Sequence, residues 1–189
     1  MEDKDSLLIL DLDETLIHSV DVRRETPSFD HMKRAFRILN GKVLTVKRPH
    51  LDVFLEYAFK NFNVGVWTAA GEQYATEILD NIGIDIDKLE FFYSEKNCTP
   101  KYHYSNYGRE ADIVYFKHLN KLKKKGYDLN RTLMVDDKPV GLKNNYGNLI
   151  PIKPYFGQED DQLLRLIDYL DVIRFRDNFR RIEKRGWSN

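Results

Sequence analysis

Residues 7–16 read Leu7-Leu8-Ile9-Leu10-Asp11-Leu12-Asp13-Glu14-Thr15-Leu16, and this run constrains the chain more than any other stretch. Four consecutive aliphatic side chains leave no polar face, the pattern of a strand buried on both sides in a parallel sheet. The run then delivers two carboxylates one residue apart. Neither Asp11 nor Asp13 can be buried cheaply without an ion pair, a hydrogen bond or a metal. Ligands in open α/β sheets bind beyond the carboxyl ends of the strands, so this strand end predicts the floor of an anionic, metal-binding site. The plainer reading is a strand followed by an acidic turn, with Asp13 or Thr15 capping a helix.

Further along, Asn40-Gly41 separates the strand-like runs 34–39 and 43–46, a hairpin signal. Residues 23–33 read as an irregular connection. Pro49 opens a helix in which Leu51, Phe54, Leu55, Ala58, Phe59 and Phe62 recur at helical spacing, a core face. Val64-Gly65-Val66-Trp67-Thr68 is a second buried strand that ends in a polar residue. A helix follows over 72–82, with Tyr74, Ala75, Ile78, Leu79 and Ile82 inward and Gly83 at its C-cap. Residues 85–112 are the least regular and are rich in aromatics. They read as a β-rich insertion over the mouth of the site, its aromatics forming a small local core or, alternatively, a groove for an extended peptide. A third helix is predicted over 115–125, with Lys117 at its start.

Thr132-Leu133-Met134-Val135 is a third buried strand and delivers Asp136 and Asp137. Asn148-Leu149-Ile150-Pro151-Ile152 is a fourth. A last helix over 160–174 buries Leu163, Leu164, Leu166, Ile167 and Leu170. Residues 174–189 predict a basic helical extension packed on the domain, with contact to an acidic or phosphorylated partner as the alternative. Strands alternating with helices indicate a parallel α/β sheet in one domain spanning residues 1–189.

If the strands are parallel neighbours, Asp11, Asp13, Thr68, Asp136 and Asp137 converge at one sheet edge, with Lys117 arriving from a helix start. Converging carboxylates repel and drive one another's pKa upward. A hard dication relieves this, and Mg²⁺ characteristically takes carboxylates, waters and a substrate phosphate. Acids, a metal and a lysine are the parts that phosphoryl transfer needs, because that chemistry is mainly positioning and charge stabilisation.

In this order, Asp11-Leu12-Asp13-Glu14-Thr15, Thr68, Lys117 and Asp136-Asp137 resemble the four motifs of the haloacid dehalogenase superfamily. Residues 8–19, Lys47-Arg48-Pro49-His50-Leu51-Asp52-Val53-Phe54-Leu55, Trp67-Thr68-Ala69-Ala70 and residues 148–152 are similar to the phosphatases of the RNA polymerase II carboxy-terminal domain, the small, NLI-interacting-factor-like group included. The similarity covers residues 6–173. It implies a Rossmann-like parallel sheet flanked by helices, with a small β insertion and no large cap domain. The small enzymes of that group usually carry Asp-Asn where this chain has Asp136-Asp137, and the phosphopeptide-binding domain of the larger ones is not expected here.

The resemblance implies a Mg²⁺-dependent protein serine/threonine phosphatase. Asp11 is then the nucleophile and Asp13 the general acid and base. Thr68 and Lys117 bind phosphoryl oxygens. Asp11, Asp136 and the backbone carbonyl of Asp13 hold the metal, Thr15 supports the first loop, and Asp137 acts through water or orients Lys117. The expected partner is a phosphorylated protein or peptide, with the polymerase tail as one case. A non-catalytic binding or scaffold module of the same fold, a phosphoacceptor receiver domain and a small-molecule phosphatase are the alternatives.

Thirty basic and thirty acidic side chains cancel, which argues against general nucleic-acid binding. There is no apolar stretch of about 18 residues for a membrane span and no signal peptide at the acidic start. The single cysteine, Cys98, suits a reducing compartment, so cytosol or nucleus is expected.

Overall fold

The computed structural model describes residues 5–26, 34–104 and 111–188, without the side chains of residues 103, 104, 111 and 112. Tyr107 and part of the predicted 23–33 connection lie outside the described residues. Strand β1, Leu7–Leu10, is buried at every position. Its central place follows from having no polar side chain to leave at an edge. It pairs in parallel with β5, Asn63–Trp67, on one side and β9, Thr132–Asp136, on the other. β10, Leu149–Pro151, and β6, Phe92–Tyr93, complete a five-stranded parallel sheet in the order β10-β9-β1-β5-β6.

Alternate residues of β1 serve two cores. Leu8 and Leu10 pack with helices α1 (Leu51–Asn61), α2 (Glu72–Asn81) and α4 (Gln162–Ile173). Leu7 and Ile9 face Trp67, Met134, Leu119, Leu122 and Leu142 on the other side. A fully buried aliphatic side chain contributes roughly 1.5–3 kcal/mol, so β1 alone is a large part of the fold's stability. The sheet is the predicted α/β architecture.

Local expectations change in several places. The expected hairpin about Asn40-Gly41, β3 (Ala35–Ile38) with β4 (Val43–Lys47), gains a third strand, β2 (Ile17–Asp21), and becomes a three-stranded antiparallel sheet. Downstream, β7 (Thr99–Tyr104) and β8 (Ala111–Phe116) pair as a separate antiparallel hairpin that runs past residue 112. The third helix shrinks to α3, Asn120–Lys123. Ile113, Val114, Tyr115 and Phe116 are strand formers, and Lys121 faces Lys124 and Lys125 at helical spacing, like charges that oppose a longer helix. Leu164 of α4 is exposed.

Residues 174–188 are turns with one 3-10 segment, Phe179–Arg181, instead of a helix. They dock through the buried Phe179, through Trp187 Nε1 donating to the Pro151 carbonyl (2.6 Å), and through Lys184. The Lys184 ammonium donates to the carbonyls of Gly147, Phe179 and Ile182 at 2.6–2.9 Å. Among the described residues no helix is long and apolar enough to cross a membrane.

Candidate active site

Register places the site. Leu10 lies opposite Val66 and Val135, so the next row out brings Asp11 level with Trp67 and Asp136, with Thr68 one residue beyond. The Asp11 amide donates to the Val135 carbonyl (3.1 Å), which carries sheet pairing one residue past β1 and into the site. The chain then turns sharply. The amides of Thr15, Leu16 and Ile17 all donate to the Leu12 carbonyl, and Glu14 sits at φ 59°, in the left-handed region. Few non-glycine residues adopt that conformation without cause. Here it folds the loop back so that Thr15 Oγ1 donates to Asp11 Oδ2 (3.2 Å).

Lys117 lies directly after strand β8 and not at a helix start, which corrects the expectation for that residue. Its buried ammonium donates to Asp11 Oδ1 at 2.5 Å and to Asp136 Oδ2 at 2.8 Å. Asp136 Oδ1 accepts in turn from the Lys138 amide (2.7 Å). Two residues on neighbouring strands are thus tied by one cation. Asp137 is not a partner of that ammonium; its carboxylate lies 3.5 Å from Thr15 Oγ1.

Thr68 is buried, and its hydroxyl accepts from the Ala70 amide (3.0 Å). The carboxylate of Asp13 accepts from the hydroxyl of Tyr74 at 2.5 Å. Asp11, Asp13, Thr68, Lys117 and Asp136 line one cavity of about 450 Å³, walled by Ala69, Ala70, Val114, Tyr115 and Gly141, with the more exposed Ile113 and Val140 at its rim. Thr15 and Asp137 are not among its lining residues.

Burial dominates the electrostatics. It pushes Asp11 up to about 7, with Asp136 and Asp13 adding to the rise and Lys117 opposing it. Burial likewise raises Asp13, partly offset by the Tyr74 hydrogen bond. Asp137 is pushed up to about 6, by burial first and then by Asp136 and Glu14, against Lys138. Burial alone would lower Lys117, but Asp11 and Asp136 outweigh it and hold its ammonium protonated.

Asp11, Asp136 and Asp137 each bring a carboxylate oxygen within 4.8 Å of the others, and one buried ammonium bonds two of them. Hard oxygen donors with surplus negative charge fit a hard dication.

Two residues at the site carry no clear signal in the sequence. Tyr74 recurs at helical spacing with Ala75, Ile78 and Leu79 and reads as core. Arg48 reads as one charge in a basic pair, yet it is fully buried behind the Thr15 carbonyl (2.8 Å). Only its place in a family-like string distinguishes it.

Residues 6–180 match the model of a family described as NLI interacting factor-like phosphatase. A CTD nuclear envelope phosphatase 1 homolog of Drosophila melanogaster is 32% identical over 187 residues, covering 95% of this chain and 72% of that protein. The putative CTD phosphatase-like protein 355R of invertebrate iridescent virus 3 is 30% identical over 193 residues, covering 90% of this chain and 98% of that protein. Among solved structures, a beryllium fluoride-bound form of the fission yeast RNA polymerase II CTD phosphatase Fcp1 shares the fold, with a TM-score of 0.56 at 19% identity. That match covers 93% of this chain and about half, 54%, of the Fcp1 chain. From residue 6 to residue 180, this chain belongs to the NLI interacting factor-like phosphatase family and is a phosphatase.

Proposed function

We propose that the chain is a Mg²⁺-dependent protein phosphatase acting on phosphoserine or phosphothreonine through an aspartyl-phosphate on Asp11. The observation that carries this is the setting of Asp11: at the end of β1, facing a cavity, with one oxygen on Lys117 and the other on Thr15. Such a carboxylate is oriented before substrate arrives, which is what covalent catalysis requires of its nucleophile.

In the first step an Asp11 oxygen bonds to phosphorus and the phosphorus–oxygen bond to the substrate side chain breaks. The departing oxygen keeps the electron pair and takes the Asp13 proton. In the second step a water gives a proton to Asp13, and its oxygen attacks phosphorus. The bond to Asp11 breaks, releasing inorganic phosphate and restoring the carboxylate. The sum is a phosphomonoester and water giving alcohol and phosphate. Lys117 and Thr68 hold phosphoryl oxygens and balance charge in both transition states. Asp11, Asp136 and the Asp13 backbone carbonyl would hold Mg²⁺, with Asp137 within reach. Bound there, the ion supplies charge neutralisation at the phosphoryl group.

A phosphorylated protein segment, of which the RNA polymerase II CTD in the name of the Fcp1 phosphatase is one case, fits a site rimmed by the exposed Ile113 and Val140. The test is turnover of phosphoserine and phosphothreonine peptides beside phosphorylated metabolites, with Mg²⁺ and with chelator, for the wild type and Asp11→Asn. Mg²⁺-dependent peptide turnover that Asp11→Asn abolishes is expected. Faster turnover of metabolites than of any peptide, or peptide turnover in chelator, contradicts the proposal.

A further inference from the structure

We infer that Tyr74 is a positioning residue for Asp13, and that its hydroxyl proton is aimed by a file of hydroxyls reaching into the antiparallel sheet. The inference rests on the reading of Asp13 as the acid. The geometry is independent of that reading. Tyr74 lies in the first turn of α2, immediately after the Thr68 strand end. Its hydroxyl oxygen is 2.5 Å from Asp13 Oδ1 and 2.7 Å from Ser19 Oγ, which is itself 2.7 Å from Thr45 Oγ1. Ser19 and Thr45 face each other as register partners on β2 and β4, and Thr45 is fully buried.

A phenol has one proton to give. Asp13 and Ser19 both sit within reach of it, and a carboxylate is the stronger acceptor. The proton therefore goes to Asp13 Oδ1, Ser19 must donate to the Tyr74 oxygen, and Thr45 must donate to Ser19. The file runs one way, from Thr45 through Ser19 and Tyr74 to Asp13, and each bond polarises the next.

With Oδ1 engaged as an acceptor, the acid proton of Asp13 resides on Oδ2. Proton delivery to the leaving oxygen and proton uptake from water then pass through a single oxygen whose direction is set before reaction. The antiparallel sheet inserted between β1 and α1 thereby acts on chemistry at the main sheet without touching substrate.

Leaving-group dependence separates this role from a structural one. A serine alkoxide needs the acid proton as it departs, whereas p-nitrophenolate departs readily without it. For Tyr74→Phe, which keeps the ring, the loss of kcat/KM, which reports the first step alone, is expected to be about tenfold greater on a phosphoserine peptide than on p-nitrophenyl phosphate, a fraction of the full worth of a general acid. Ser19→Ala, which breaks the file one bond further out, is expected to show the same bias at about threefold.

Equal losses on the two substrates in Tyr74→Phe, with a clear bias in Asp13→Asn, overturn the inference and leave the Asp13 assignment standing. Equal losses in Asp13→Asn overturn both.

Discussion

Arg48 shows how far a single buried charge can organise this site. Its guanidinium is fully buried; it donates to the backbone carbonyls of Thr15 (2.8 Å) and Lys153 (2.9 Å) and to both oxygens of Asp160 at 2.8–3.2 Å, and it lies over the Tyr155 ring at 5.4 Å. Three segments distant in sequence meet on one planar fork, a geometry a lysine ammonium does not reproduce. Arg48→Met would leave Asp160 and two carbonyls without their donor. Leaving buried acceptors without their donor costs about 1–3 kcal/mol, and urea unfolding is expected to report a loss of that size; an unchanged midpoint would contradict this role. Nothing in the charge pattern of residues 47–49 announces such burial, because adjacent basic residues are usually solvated. Asp11 and Asp13 are legible for the opposite reason: carboxylates at the end of an all-aliphatic strand have nowhere dry to hide.

The segment from Lys138 to Leu149 places Lys117 by close backbone approach. The Lys117 amide donates to the Gly141 carbonyl (3.0 Å), and a Cβ built on Gly141 would lie 2.9 Å from the Tyr115 carbonyl oxygen. That neighbour is main chain inside β8 and cannot rotate aside. Gly141→Ala is therefore expected to push the 139–148 segment off the strand that carries Lys117. Overpacking of this kind costs about 1–3 kcal/mol, and kcat/KM should fall by more than thermal stability alone explains. Wild-type kcat/KM in the variant would contradict the placement. Gly65→Ala belongs to the same class: its Cβ would meet the Phe91 ring at 2.7 Å. It should lower the melting temperature, and an unchanged one would show that the ring moves freely.

These elements are unevenly legible in the sequence. β1, β5 and β9 stand out as unbroken apolar runs, and α1, α2 and α4 as helical stripes. β2 does not, because His18, Ser19 and Asp21 dilute a strand with only Ile17 and Val20 buried. The strand β8 is masked as a helix because Leu119 and Leu122 continue its apolar character at helical spacing.

On the scale of the whole molecule, the sheet order β10-β9-β1-β5-β6 converts sequence order into a site. Strand β1, which delivers Asp11, lies between the strand that leads to Thr68 and the strand bearing Asp136. Helices α1, α2 and α4 close one face, while α3 and the 139–148 segment close the other. This convergence is legible in the amino-acid sequence, because each acidic or polar motif directly follows an apolar run. The hydroxyl file behind Asp13 is not, because it joins residues 19, 45 and 74 across a sheet that the sequence shows only as a hairpin.

The three clustered carboxylates also carry a global consequence. A cation bound only by the folded state stabilises it by mass action, about 2.7 kcal/mol at a hundredfold excess over its dissociation constant. Mg²⁺ is expected to raise the melting temperature of the wild type, and Asp136→Asn should lose most of that rise. An equal rise in both would place the ion elsewhere.

The most direct test of the central claim is to quench the enzyme with acid during turnover of a phosphoserine peptide and locate the phosphoryl group by mass spectrometry of the digested chain. One phosphoryl group is expected on the peptide containing Asp11, removed by hydroxylamine as an acyl phosphate is and absent from Asp11→Asn. An enzyme that turns over at full rate with no phosphoryl on Asp11, or with one on Asp13 or Asp136 instead, would contradict it.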